Sequence, residues 1–369
     1  LSRIFSLIKK ELLAAFKDKK IRFSLLLPPI IQFFLFTFAA TLDVKNVPIG
    51  ILNQDHGTKG FELVRRFAGA KTFHRNIYFL QSEKEIASFI DEQKGIMVLS
   101  INEHFSRDLL AGKQADLQLI FDGRKSNTAQ IVSLYASEII HQFNVDILTS
   151  AGMFVENAAI IPRVWFNPNL YYYWYNIPCL VVVLAMVICL VITTQSIARE
   201  REMGTFDQLL VSPLLPFEIL VGKVVPGIFV GLFEGLLMLG IGTWILGVPF
   251  TGSFFLYTLS LFVFVTSISG VGLFISSLSA TQQQAMLGAF VFMLPSILLS
   301  GFATPIDNMP KFFQILTYLI PLKYMLIISK GLFLKAMSAK IVFYNLWPLV
   351  IISIGNFSGA ILLFRNRIQ

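Results

Sequence analysis

Apolar residues in this chain fall into long blocks separated by short charged or turn-rich stretches. The first block covers residues 21–42, close to the ~20 residues that a helix needs to cross a bilayer. Further blocks run from 171 to about 197, then over about 223–247, 254–278, 285–302 and 343–364. Ahead of them, Ile4, Phe5, Ile8, Leu12 and Phe16 recur at helical spacing, with Arg3, Lys10 and Lys17 on the opposite side. The pattern predicts a polytopic α-helical membrane protein with six transmembrane helices. An amphipathic helix within residues 1–20 would lie in the headgroup plane before the first span.

Over residues 43–170 the pattern changes. Short β-like runs begin at Val47 (VPIGILNQ), Thr72, Gly95 (GIMVLSI) and Asp116. Helical stretches fall at 59–68, at 82–93, just after Asn102, and at about 127–154. Strands alternating with helices predict a compact α/β domain with a mixed sheet, inserted between spans one and two. Spans two to six occupy residues 171–369.

Composition narrows the class. Only 14% of residues are charged, 55% are hydrophobic and 36 are phenylalanine, whereas soluble domains carry roughly a quarter charged residues. With a mean hydropathy of +0.69, a soluble cytoplasmic enzyme is excluded, and several separate spans exclude a one-span receptor. The net charge is +8, yet basic and acidic residues nearly balance between Asp43 and Pro168. The excess therefore flanks the membrane segments, where it meets lipid headgroups rather than nucleic acid. Cys179 and Cys189 stand about 15 Å apart along one predicted helix. That is too far for a disulfide, and they read as packing residues.

Arg3, Lys9, Lys10, Lys17, Lys19, Lys20 and Arg22 precede or open the first span, which predicts a cytoplasmic N-terminus. A cleaved signal peptide is the alternative, but the run is long for one and no small-x-small site follows it. The inserted domain then lies outside, and six crossings return Arg365 and Arg367 to the cytoplasm. One segment runs against this trend. Residues 303–341 are outside by count yet carry Lys311, Lys323, Lys330, Lys335 and Lys340. Their apolar stretches read as short interfacial or re-entrant helices rather than a seventh span.

The loop after span two, residues 198–222, carries the most specific local pattern. Alternating charge at Arg199, Glu200, Arg201 and Glu202 keeps the end of the span in water, and Gly204 permits a sharp turn. Thr205 and Gln208 read as a capping box that starts a short helix. Phe206, Leu209 and Leu210 project from that helix before Ser212 and Pro213 stop it. Such a helix either lies on the bilayer surface or is received by another chain.

The stretch AREREMGTFDQLLVSPLLPFEILVGKVVP, from Ala198, resembles the corresponding loop in permease subunits of the ABC type-2 transporter family, bacterial drug-export type. LSGFATPIDNMPKFFQILTYLIPLKYMLIISKGLFLK, from Leu299, is similar to that family's segment after span five. FDGRKSNTAQ, from Phe121, resembles its members with a large outer domain. The resemblance implies a dimeric multi-pass subunit of the bacterial inner membrane, with a second permease copy or a paralogue. It also implies partner ATP-binding-cassette ATPase subunits, which use ATP and Mg, with a periplasmic adaptor as a further partner. Residues 205–211 would be the helix coupling the permease to the ATPase. In that picture a small amphiphilic or drug-like substrate moves outward. The alternative is mechanical transmission to an envelope partner without a transported substrate.

The residues agree with a subunit that binds no nucleotide or other cofactor itself. No G-x-x-x-x-G-K-[ST] phosphate loop occurs, and Gly222-Lys223 lacks the upstream glycine and the following hydroxyl. His56, His74, His104 and His141 are scattered without ligand spacing, so no metal site is expected, and no catalytic set is evident. Glu234 lies near the middle of span three, where a carboxylate costs about 2.5–3.5 kcal/mol on insertion scales. It is a candidate substrate-pathway acid, or a protonated or hydrogen-bonded packing residue. Gly227, Gly231 and Gly235 form a small-xxx-small face for helix packing on the same helix.

Overall fold

The computed structural model describes residues 5–10, 13, 19–39, 46–73, 77–150, 165–169, 171–211 and 215–366. The chain divides into two compact units, Leu1–Thr41 with Arg163–Gln369, and Leu42–Pro162.

The inserted unit is built on a four-stranded sheet of β1 (Ile49–Asn53), β2 (Ile77–Phe79), β3 (Met97–Ile101) and β4 (Leu117–Phe121), in the order β2-β1-β3-β4. β1 pairs in parallel with β2 and β3, while β4 runs antiparallel to β3. In the two central strands nearly every position is buried, which is why their sequence is continuously apolar rather than alternating. Leu63, Val64 and Phe67 of α2 (Thr58–Gly69) belong to the same core as Val132, Ala136 and Phe143 of the long α5 (Ser126–Ser150). Two shorter helices, α3 (Lys84–Asp91) and α4 (Phe105–Leu110), complete the unit. The strand expected to begin at Thr72 is described over Ile77–Phe79, and Thr72 itself lies in a turn. Phe73 turns into the core against Phe67, ring centres 5.7 Å apart, and the sheet register begins only at Ile77. Residues 74–76 and 151–154, the latter the end of the last expected helix, lie outside the described residues.

In the other unit, α1 (Lys19–Ala39) precedes the insert; its apolar part is Leu26–Ala39. Among the described residues five helices are long and apolar enough to cross a membrane: α6 (Tyr172–Glu202), α8 (Pro216–Gly240, prolonged by a wider turn to Ile245), α9 (Phe254–Leu278), α10 (Gln282–Leu299) and α13 (Ala339–Asn366). A six-residue helix, α7 (Phe206–Val211), lies between α6 and α8. Within the segment 303–341, α11 (Lys311–Leu316, continued to Leu319) and α12 (Pro321–Leu334) meet at 81°, so they form either a broken span or a re-entrant pair.

Helix α6 is the hub. Its apolar window is 83% buried, against 17% for α10, and α1, α8, α9, α10 and α12 all pack on it. Small residues make these approaches close. A Cβ at Gly272 of α9 would overlap Thr193 Oγ1 and stand 2.7 Å from Thr193 Cβ. On α8, a Cβ at Gly227 would overlap Thr193, one at Gly231 would fall 2.9 Å from Cys189 Cβ, and one at Gly235 would fall 2.7 Å from Leu261 Cδ2. Both cysteines are free and buried.

The two ends of this bundle are held differently. At one end, Ile197, Leu220, Val224, Leu273 and Ala360 bring the loop end of α6 together with α8, α9 and α13. At the other, Asn176 donates to the Phe36 carbonyl at 3.0 Å and Ser329 to the Pro178 carbonyl at 2.8 Å. Here also lie lysines whose sidedness was anomalous in the sequence. Lys323 Nζ stands 3.8 Å from the Tyr318 ring centre and donates to Thr317 Oγ1, Lys330 lies 5.1 Å from the Tyr175 ring, and Lys335 lies 5.5 Å from that of Phe166. Each ammonium faces an electron-rich ring.

Residues 5–10 are helical, but their docking residue differs from the expected apolar face. Leu7 is 8% exposed and packs on Gly222, while Phe5 is 68% exposed. Arg3, Ile4, Leu12, Phe16 and Lys17 lie outside the described residues.

Candidate functional site: the charged end of α6 and its loop helix

Helix α6 ends in a backbone motif that Gly204 makes possible. Gly204 has φ +69°, its N–H donates to the Arg201 carbonyl at 3.1 Å, and the Thr205 N–H donates to the Glu200 carbonyl at 3.0 Å. This paired closure satisfies two carbonyls left over at the helix end, and a left-handed residue is what it requires. It also corrects the expected capping box. The Thr205 N–H that Gln208 would have accepted is committed to Glu200, and the Thr205 hydroxyl donates to the Glu200 carboxylate; Gln208 is exposed.

Three consecutive charged residues then reach three different helices. Glu200 Oε1 accepts from Lys223 Nζ at 2.5 Å, joining α6 to the start of α8; the Lys223 side chain is 3% exposed. Arg201 Nη1 donates to the carbonyls of Ser277 and Ser279 at 2.8 and 3.0 Å, at the C-terminal end of α9, where unpaired carbonyls attract a cation. Glu202 Oε2 accepts from the Gln282 backbone N–H at 2.8 Å and from its side chain at 3.2 Å, at the start of α10. Arg199, the fourth member of the charged group, is exposed.

Phe206 corrects a second expectation. It does not project outward but packs on the Ile197, Leu220 and Leu273 cluster, with the Arg201 guanidinium 4.8 Å from its ring centre. Among the described side chains of the loop, the exposed apolar residues are Met203 at 59%, Val211 at 88%, Leu215 at 67% and Phe217 at 58%. Leu209 and Leu210 lie on α7, but their side chains fall outside what the structure describes, as do Ser212 and Pro213 altogether. Helix α8 restarts at Pro216, with the Leu215 N–H donating to the Glu218 carboxylate at 2.9 Å.

Glu234 sits between the Gly231 and Gly235 approaches of α8. It is 1% exposed, and neither carboxyl oxygen has a hydrogen-bond partner among the described residues. A carboxylate is costly in such surroundings, and the cost falls when a cation or a proton joins it.

The inserted unit holds a polar clamp that the sequence reading passed over. Asp55, at the end of β1, accepts from the Ser106 hydroxyl at 2.5 Å, the Ser106 N–H at 3.1 Å and the Gly60 N–H at 3.2 Å. Ser106 Oγ in turn accepts from the Lys59 N–H at 3.0 Å, so one acid ties the starts of α2 and α4 together. Burial pushes the Asp55 carboxyl up, but the hydrogen bonds from Ser106 and from the Gly60 and Gly57 backbone outweigh it and hold it below the usual range. The FDGR stretch has a similar role: Asp122 pairs with Arg124, which also donates to the Ile90 carbonyl at the end of α3. Among the described residues no three His, Cys, Asp or Glu side chains gather as a metal site; His74 lies outside them.

Comparison with known proteins agrees with this architecture. The family described as "ABC-2 family transporter protein" matches residues 19–363. The probable multidrug ABC transporter permease YbhR of Escherichia coli is 42% identical over 100% of this chain and 99% of its own length. The probable multidrug ABC transporter permease YbhS of the same organism is 30% identical over 90% of this chain and 88% of its own. The inner membrane transport permease YhhJ, also of Escherichia coli, is 27% identical over 100% and 98%. The match to the family over residues 19–363 and the full-length relatives, on a multi-pass helix bundle, place the chain in the ABC-2 transporter family, as a membrane permease subunit.

Proposed function

We propose that this chain is the permease half of an ATP-driven exporter of the bacterial inner membrane, moving a small amphiphilic or drug-like substrate outward. Separate ATP-binding-cassette subunits, using ATP and Mg, supply the energy, and a second copy or a paralogue completes the path. In this reading α1 is the sixth crossing, both termini are cytoplasmic, and residues 43–170 lie outside. The relatives named as multidrug permeases supply the substrate class. An adaptor outside the membrane is the further partner that the inserted unit would meet.

The observation that carries the reading is the loop after α6. A six-residue helix is held under the ends of four long helices while Val211, Leu215 and Phe217 remain exposed beside it. Exposed apolar residues gathered within a few positions on such a handle fit a receiving groove on another protein. Glu234 is the candidate acid that a cationic substrate would meet.

The test is reconstitution with the ATPase that copurifies. Wild-type proteoliposomes should accumulate the dye ethidium when ATP is supplied to the loop side, and Val211→Asp should reduce dye movement about tenfold together with ATPase retention. ATP hydrolysis without movement of any of a panel of amphiphiles would favour mechanical transmission instead.

A further inference from the structure

We propose that Glu200, Arg201 and Glu202 are positioning residues: they form a latch through which displacement of the loop helix reaches three spans at once, and the Glu200–Lys223 pair is the element that must re-form in each cycle. This rests on the permease reading above. The alternating charges were expected to solvate a helix end, or to contact the ATPase directly. Their geometry assigns them inward, to α8, α9 and α10.

The loop helix hangs from the same residues. Thr205 bonds the Glu200 carboxylate and Phe206 stacks under Arg201. A displacement of α7 therefore changes the angle at which Glu200 meets Lys223, and at which Arg201 meets the carbonyls of Ser277 and Ser279. No intervening flexible link absorbs it, because Gly204 is fixed by the two backbone bonds of the α6 closure. The latch also has the right asymmetry. Lys223 is 3% exposed and Glu200 18%, whereas Glu202 and its partner Gln282 lie in solvent or near it. A buried ion pair with one partner removed leaves an uncompensated charge, while exchange of the two partners keeps the pair. The exposed contact with α10 yields first and the buried one last, which gives the motion an order. Leu7 seated on Gly222 places the N-terminal segment beside the helix turn that carries Lys223.

The quantity to measure is ethidium moved per ATP hydrolysed, in proteoliposomes holding the full chain and its copurifying ATPase. Glu200→Gln and Lys223→Met should each lower this ratio about tenfold, and the exchanged double variant Glu200→Lys with Lys223→Glu should return it to within about threefold of wild type. Lost folding alone would scale transport and hydrolysis together and leave the ratio unchanged. Should the buried variants fail to accumulate, Glu202→Ala at the exposed contact reports instead, with an expected fall of about threefold. A double variant no better than the single ones, or a wild-type ratio in Glu202→Ala, overturns the latch while the permease reading stands. A wild-type chain that drives hydrolysis yet moves none of the panel of amphiphiles overturns both.

Discussion

The two units of this chain treat buried polar groups in opposite ways. In the 42–162 unit, buried acids are saturated: Asp55 receives three hydrogen bonds within 3.2 Å, and Asp122 is enclosed by the backbone and side chain of Arg124. In the helix bundle, Glu234, Ser267 Oγ and Asn176 Oδ1 are buried without a partner among the described residues. The difference follows from what each unit is measured against. A domain that unfolds into water loses about 1–3 kcal/mol for each buried polar group it fails to pair. A bundle that packs within a bilayer is compared with helices already in hydrocarbon, where a missing partner changes little. Close packing of small residues carries the middle of the bundle, while directional bonds secure its ends and run through the insert.

That contrast is broken most strongly at the packing contacts. Gly272→Leu drives a side chain into Thr193, where there is no room for it; a loss of about 3 kcal/mol is expected, seen as about a tenfold fall in monodisperse protein recovered in detergent. Thr193→Gly should restore part of it. Next in size is Asp55→Asn, expected to weaken the insert by about 1–3 kcal/mol, read as faster amide exchange in β1 and at the starts of α2 and α4. Its pH dependence has a definite sign. The folded carboxyl titrates below its ordinary value, so wild type keeps its full advantage above about pH 4 and loses it only as pH falls further. Disappearance of the difference near neutral pH would contradict the clamp.

Glu234→Gln sharpens the other side. An isosteric amide replaces an acid that has no hydrogen-bond partner among the described residues, so thermal stability should stay within about 1 kcal/mol of wild type. Export of cationic dyes should fall several-fold while neutral substrates are unaffected; equal transport of both removes Glu234 from the path. The smallest effect is expected at the far end of the bundle. Lys330→Met loses one ammonium–ring contact with Tyr175, about 0.5–1 kcal/mol, a shift of a few degrees at most in melting temperature.

The helix periods and the strand–helix alternation were legible in the sequence because burial imposes them locally. Features that depend on distant partners were not. Nothing near Glu200, Arg201 and Glu202 in the sequence says that they meet Lys223, Ser277, Ser279 and Gln282, up to 80 positions away. Phe206 was read as outward because a loop helix needs an exposed face, yet Arg201 draws it in. Leu7 was passed over for the same reason: Gly222, which receives it, is remote. The Asp55 clamp did leave a trace, an acid at a strand end with Gly57 and Gly60 following and a serine opening the helix after β3.

The end of α6 has one more mechanical implication. Successive residues on a helix point about 100° apart, so Glu200, Arg201 and Glu202 radiate from the axis like spokes, one toward each neighbour. Rolling that cylinder by even a fraction of one step loads all three at once, the exposed spoke at Glu202 giving way before the buried one at Glu200, so torque on one helix end is shared among three neighbours.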